Sequence, residues 1–239
     1  MKKKITETVI NFFDYFHKKK IMKFLLSQKF KIDIIYDIGA HKGESINLFL
    51  KYLKPNIIYS FEALENNYNV LLENIKSIKT PTKINVYNIA LGEREKIDEI
   101  NILNETSSTT LKGINQSSNY YKKKNFFFNL TKNIIKKKIK VTTLDKVIDD
   151  KSIEIADFCK IDTEGSEFDI LVGLENKIGN IKIILFEHHF DNMIIKNYNL
   201  SDIHDLLTNK NFSKIFKIKM PFRKTFEYIY INRNFLNLN

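Results

Sequence analysis

The sequence predicts an α/β fold on a mostly parallel sheet covered by helices on both faces, and three observations carry this reading. Short β-prone runs alternate with segments of helical periodicity. The connections between them are brief, as in strand–helix–strand units. Two adjacent strands with no helix between them close the chain and are expected to pair antiparallel. With 239 residues, 43% of them hydrophobic, and only 7 Gly and 3 Pro, the chain has the material for one sizeable core.

Taken in order, Met1 to Leu26 carries Ile5, Val9, Phe12, Phe13 and Phe16 at helical spacing. Residues 1–30 are therefore read as an amphipathic helical segment packed on the domain, and residues 31–239 as a single domain. Glu7, Asn11, Asp14 and His17 interrupt any signal-peptide core. Asp33–Tyr36 is a strand ending at Asp37, the Gly39–Gly43 turn follows, and Ile46, Phe49, Leu50 and Leu53 mark a helix that Pro55 stops. Strand Ile57–Phe61 ends at Glu62, helix Leu64–Ile78 follows, and a third strand spans Ile84–Ala90. The rhythm then breaks. Lys96–Leu103 and Ile139–Thr143 read as strands, and between them lies an insertion at about 104–138 with Ser107, Ser108, Thr109 and Thr110 and then Phe126, Phe127 and Phe128 between two lysine triplets. A connection of this length is a lid, a binding loop or a disordered insertion. The pattern resumes with strand Asp157–Ile161 ending at Asp162, a helix over Ser166–Leu174, strand Ile181–Phe186 ending at Glu187, a helix over Ser201–Thr208, and the closing strands Phe212–Lys219 and Phe226–Ile231.

The net charge of +11 points toward nucleic acid or membrane, but only three of the 39 basic residues are arginine (Arg94, Arg223 and Arg233). Bidentate recognition of phosphate or guanine draws on arginine, so most of the lysine is read as solvated surface. No apolar run has the length to span a bilayer, and membrane-surface attachment of the first helix is the minority reading. A single cysteine excludes a disulfide framework and a multi-cysteine zinc site, and suits a cytoplasmic protein. Cys159 lies in an apolar strand and is expected to be buried and inert; His17 and His204 are expected to be structural.

Ligands of open α/β sheets bind beyond the carboxyl ends of the strands. Four of those ends carry acids, Asp37, Glu62, Asp162 and Glu187, so a site is expected on one edge of the sheet. The first turn, Asp37-Ile38-Gly39-Ala40-His41-Lys42-Gly43, spaces its glycines G-x-x-x-G and lacks the tightly wound pyrophosphate turn of dinucleotide enzymes. An acid beside a looser glycine turn suits a cofactor with an ammonium group and no phosphate, such as S-adenosylmethionine. Glu62, at the end of the next strand, is placed to accept hydrogen bonds from both ribose hydroxyls, a feature shared with NAD enzymes that establishes a nucleoside without saying which.

The segments "IIYDIGAHKGES", "IIYSFEALENN", "VYNIALGE", "SSTTL", "IKVTTLDKVI", "ADFCKIDTEGSEFDILVGL" and "IKIILFEHH", in this order over roughly Asp33 to His189, resemble the FkbM-type family of S-adenosylmethionine-dependent methyltransferases. The most specific of them is Lys160-Ile161-Asp162-Thr163-Glu164-Gly165-Ser166-Glu167. The resemblance implies a class I methyltransferase fold, a Rossmann-like three-layer sandwich, acting on a hydroxyl of a sugar or related metabolite. It also implies that Asp37, Gly39 and Gly43 hold the methionine end, that Glu62 binds ribose, and that Ala90 and Leu91 pack adenine. The family often has Asn where this chain has His41, which places His41 at the pocket mouth, and Pro where it has Ala63.

Methyl transfer to a hydroxyl needs alignment and removal of a proton. Asp162 and Glu164, and Glu187 with His188 and His189, are the polar groups placed to do this; Asp162, Glu164 and His188 are the catalytic candidates, with His188 or Asp162 as general base. The other mechanism places a divalent cation on Asp162, Glu187 and His188 to lower the hydroxyl pKa. Glu164 and Glu167 equally suit a helix start, where acids favour the dipole. The expected acceptor is a small molecule or glycan, and the Lys122–Lys138 stretch would guide an acidic one such as a phosphorylated or nucleotide-linked sugar. The alternative is a nucleic-acid-binding protein or RNA methyltransferase that stacks bases on Phe126–Phe128, of which at least one is expected to pack inward.

Overall fold

A computed structural model describes residues 2–103, 109–128, 130 and 134–236, with side chains from Phe12 onward except Phe128. Ser107 and Ser108 lie outside the described residues, as do the side chains of Ile5 and Val9. The strands are β1 (Ile34–Ile38), β2 (Ile57–Phe61), β3 (Lys83–Tyr87), β4 (Ala90–Leu91), β5 (Lys96–Ile102), β6 (Gly113–Ile114), β7 (Ile135–Thr142), β8 (Phe158–Ile161), β9 (Ile183–His189), β10 (Ile194–Ile195), β11 (Phe212–Lys219) and β12 (Thr225–Asn232). The helices are α1 (Lys2–Ser27), α2 (Glu44–Tyr52), α3 (Glu65–Lys76), α4 (Asn119–Phe128), α5 (Leu144–Lys151), α6 (Glu167–Val172) and α7 (Leu200–Asn209).

Seven strands form the main sheet in the order β11-β12-β9-β8-β1-β2-β3. Its five strands from β9 to β3 run parallel, and β12 joins β9 antiparallel, as the closing pair predicts. Strand parity divides the core into two layers. Tyr36, Cys159, Ile161, Ile184, Phe186 and Tyr228 pack on the side of α5, α6 and α7. Ile35, Phe158, Ile183, Leu185 and Ile229 pack on the opposite side with α1, α2 and α3. The result is the three-layer sandwich.

Four local differences have physical reasons. The run Ile84–Ala90 is not one strand: Asn88 leaves the ladder and donates its side-chain amide to the carbonyls of Glu62 and Ala63, at 2.8 and 3.0 Å. Ala90 and Leu91 then pair with β7, which also pairs antiparallel with β5 along seven residues. Helix α5 is missing from the sequence reading; Thr143 caps it by accepting from the Lys146 amide. Within the insertion, β6 pairs with β10 and Asn119–Phe128 forms α4. Finally, α1 buries His17, Ile21, Met22 and Leu25, while Phe12, Phe13 and Phe16 of the expected apolar stripe are exposed.

Candidate active site

Sheet order brings the four strand-end acids onto neighbouring strands, β9, β8, β1 and β2. The period of two then decides which side chains meet. Asp37, Lys160, Glu187, His189 and Glu227 all lie on strand positions of the α1 face, while His188 has the parity of Phe186 and faces α7. On that side its ring packs edge-on to Phe190, its Nε2 is 3.5 Å from Lys196 Nζ, and burial with the Lys196 charge pushes its pKa down to about 3. His188 is thus a neutral side chain on the opposite face of β9 from Glu187, outside the acidic group. The histidine that joins Glu187 is His189, two residues on: Nε2 lies 3.0 Å from Glu187 Oε1 and 3.1 Å from Glu164 Oε2.

Below the glycine turn, Asp37 is fully buried and its Oδ1 accepts from Lys160 Nζ at 3.0 Å. Lys160 also reaches the Gly39 carbonyl at 3.4 Å and Asp162 at 3.6 Å. Burial opposes its charge, but Asp37 and Asp162 hold it firmly protonated. Asp37 and Gly43 support the turn from behind and are not among the residues that line the cleft beside it. The remaining oxygen of Asp37, Oδ2, is buried without a donor. Gly39 needs to be glycine twice over: its φ is +74°, and a Cβ there would sit 1.9 Å from the Asp162 carbonyl oxygen.

Gly39, His41, Glu62, Ala90, Leu91 and Asp162 do line the cleft. Glu62 accepts from the His41 amide through Oε2 and from the Leu64 amide through Oε1, both at 2.9 Å, and burial raises its pKa. Oε1 also accepts from Asn67 Nδ2 at 3.5 Å, and Oε2 keeps a lone pair. The His41 ring turns to Glu44, with Nδ1 at 2.8 Å from Oε1.

After β8 the chain makes a left-handed turn through Glu164 (φ 53°) and Gly165 (φ 106°). Glu167, fully buried, fixes it: Oε1 accepts from the Thr163 and Gly165 amides at 3.2 and 2.9 Å and from the Thr163 hydroxyl at 3.2 Å, and Oε2 accepts from the Tyr198 hydroxyl. Thr110 of the insertion donates to the Glu164 carbonyl at 2.6 Å. Glu167 is thus a clamp on the turn, and Glu164 faces the cleft.

The sequence matches the model of the methyltransferase FkbM domain over residues 37–214. The chain belongs to this family. No curated protein sequence matches it. Among solved structures, magnesium protoporphyrin IX methyltransferase (ChlM) from Synechocystis PCC 6803 with bound S-adenosylhomocysteine superimposes with a TM-score of 0.53 at 7% identity, covering 95% of this chain and 86% of that one. The same enzyme with bound S-adenosylmethionine gives 0.50 at 8% identity, with 90% and 77% covered. M. capricolum TrmK in complex with S-adenosylhomocysteine gives 0.49 at 12% identity; 84% of this chain is covered, and the chain spans 62% of TrmK. The FkbM-family chain therefore has the class I methyltransferase fold.

Sequence reasoning missed several groups of this FkbM-family site. Lys160 stands out in the sequence only as part of the Lys160–Glu167 motif, and His17 is buried and hydrogen-bonded to Glu227, the residue paired with Glu187 across β12 and β9. Asp14 of α1 accepts from Arg223 at 2.9 Å, and Tyr120 of α4 lies near Arg223 and Glu164. These contacts join the two ends of the sequence; only the parity of Glu187 and His189 was available from local spacing. Phe126 and Phe127 are both exposed, the side chain of Phe128 lies outside the described residues, and Lys136 and Lys137 pair with Glu99 and Glu65 on the surface.

Proposed function

We propose that this FkbM-family chain is an S-adenosylmethionine-dependent O-methyltransferase for a hydroxyl of a sugar, glycan or related small metabolite. The observation that carries the reading is the junction of two environments at Asp162: on one side the cleft walled by Glu62, Ala90 and Leu91, on the other the buried group of Glu164, Glu187 and His189. The residues fit the cofactor. Glu62 Oε2 has a free lone pair for a ribose hydroxyl, Phe61, Ile89, Ala90 and Leu91 give an apolar slot for a purine, and Asp37 Oδ2 is a buried acceptor without a donor, suited to an ammonium. When bound, S-adenosylmethionine supplies a methyl group on a positively charged sulfur.

The chain's own contribution is to align and deprotonate the acceptor. Asp162, one-third exposed and 3.6 Å from Lys160, is placed at the cleft to take the hydroxyl proton. Glu187, whose pKa is raised to about 7 by burial and by the charge of Asp162, lies behind it. A carboxylate-rich edge accepts hydrogen bonds from several hydroxyls and repels a phosphodiester backbone, which favours a polyol over RNA. Calorimetry with S-adenosylhomocysteine, followed by mass spectrometry of a panel of sugars and RNA incubated with S-adenosylmethionine, tests this; methylation of RNA alone would refute it.

A second reading concerns where the acceptor resides. Phe12, Phe16, Phe126 and Phe222 are exposed on α1, α4 and the β11–β12 turn, as are Lys20 of α1 and Lys122 and Lys123 of α4. Among the described residues no helix is long and apolar enough to cross a membrane. Aromatic and basic side chains together suit the surface of an anionic membrane facing the cytoplasm, and hence a lipid-linked acceptor. Sedimentation with phosphatidylglycerol vesicles, compared with Phe126→Ser/Phe127→Ser, tests it; no sedimentation of the unaltered chain rejects it.

A further inference from the structure

We infer that Glu164, Glu187 and His189 form a site for a hard divalent cation, Mg²⁺ or Mn²⁺, at the back of the cleft. One ligand atom from each lies within 4.8 Å of the other two. The distances from His189 Nε2, 3.0 Å to Glu187 Oε1 and 3.1 Å to Glu164 Oε2, have a specific geometric meaning. Neighbouring ligands of an octahedral ion held at about 2.1 Å stand about 3.0 Å apart.

The histidine is oriented for ligation and not for hydrogen bonding. Its side chain is 5% exposed, and Nε2 is aligned for a hydrogen bond with no acceptor, although two carboxylates flank it. Oε2 of Glu164 is likewise buried with no aligned donor. At the far side of the ring, Nδ1 lies 3.4 Å from Asp191 Oδ2 and 3.2 Å from Thr225 Oγ1. A carboxylate on one imidazole nitrogen places the proton there and presents the other nitrogen's lone pair, the arrangement found behind metal-bound histidines. Asp191 is itself fixed, accepting from the Met193 amide at 3.0 Å.

Chemistry selects the class of ion. Two carboxylates and one imidazole, with no thiolate near them, favour a hard or borderline dication over copper or a structural zinc. Two carboxylates balance its charge, and three protein ligands leave positions open for oxygen ligands. On the O-methyltransferase reading, an acceptor hydroxyl taking one of them becomes more acidic and gives its proton to Asp162 and then to solvent. Binding of the ion itself does not depend on that reading.

The test is Mn²⁺ binding to the full-length chain, followed by loss of the free-ion EPR signal after prior chelation, with S-adenosylhomocysteine calorimetry alongside. One Mn²⁺ per chain is expected, competed by Mg²⁺. Glu187→Gln and His189→Ala should each weaken it at least 10-fold, and Asp191→Asn, which leaves all three ligands in place, about 10-fold. Thermal melting identifies variants that do not fold, and Asp191→Asn keeps the test decisive if a ligand variant is lost. S-adenosylhomocysteine affinity should stay unchanged in every folded variant. No Mn²⁺ binding at millimolar concentration, or binding indifferent to all three substitutions, overturns the site. Mn²⁺ binding without S-adenosylhomocysteine binding would leave the site standing and overturn the methyltransferase reading.

Discussion

Replacing Lys160 with Met isolates one buried charge. The Lys160–Asp37 pair is separated by 3.0 Å, with Asp37 fully buried and Lys160 only 9% exposed. At an effective dielectric of about 20 their attraction is about 5.5 kcal/mol. Asp162, 3.6 Å from Lys160 but one-third exposed, adds little because water screens it. The attraction mainly offsets desolvation of the two ions, so the pair as a whole contributes little net stability. Removing Lys160 alone leaves Asp37 either ionised without a counterion or protonated. Protonation at pH 7, starting from the ordinary value of 3.8, costs about 4.4 kcal/mol, which matches the usual 3–5 kcal/mol for breaking a buried pair. In urea unfolding followed by circular dichroism, Lys160→Met should therefore lose about 4 kcal/mol, or about 2 M in midpoint. Burial already raises the pKa of Asp37 in the unaltered chain, and losing the Lys160 charge and hydrogen bond raises it further, so the variant's native state holds a proton that the unfolded state releases. Its stability then falls as pH rises above 3.8, and the deficit should shrink at pH 4. Lys160→Met/Asp37→Leu should recover most of the loss. A single variant within about 1 kcal/mol of the unaltered chain, or a double variant as unstable as the single, would refute the reasoning.

Three further outcomes are expected. Glu62→Gln should weaken S-adenosylhomocysteine binding in calorimetry by about 10- to 100-fold, the value of one or two charge-assisted hydrogen bonds to ribose. Gly39→Ala should lower the thermal midpoint sharply, because both the left-handed backbone and the 1.9 Å approach to the Asp162 carbonyl oppose a methyl group. Glu167→Ala should cost about 3 kcal/mol or more in chemical denaturation, since it orphans the Thr163 and Gly165 amides and the Tyr198 hydroxyl, while Glu167→Gln should cost less.

The sheet was legible because apolar periodicity and chain order act locally: β2 and β11 have the expected bounds, and the strand-end acids do share an edge. Ala90 was misread because the apolar run continues past Asn88, and only the tertiary bonds of that side chain end β3. A strand that stops at Phe186 leaves His188 and His189 undistinguished beside Glu187. Once β9 is allowed to run to His189, alternation from Glu187 selects the second histidine. His17, Arg223 and Glu227 carry no local signal at all, since each gains its meaning from a partner more than 200 residues away.

That separation bears on the order in which the molecule is completed during synthesis. His17 leaves the ribosome 210 positions before its partner Glu227, and Asp14 waits 209 positions for Arg223. A nascent chain can assemble β1, β2, β3 and β8 long before then, with the glycine turn and Glu62 in place. The edge beside Glu187 closes only after the final hairpin emerges and β12 docks on β9. Cofactor-cleft formation should thus precede completion of the acceptor side, and translation stalled before residue 225 should yield a chain with the first and not the second.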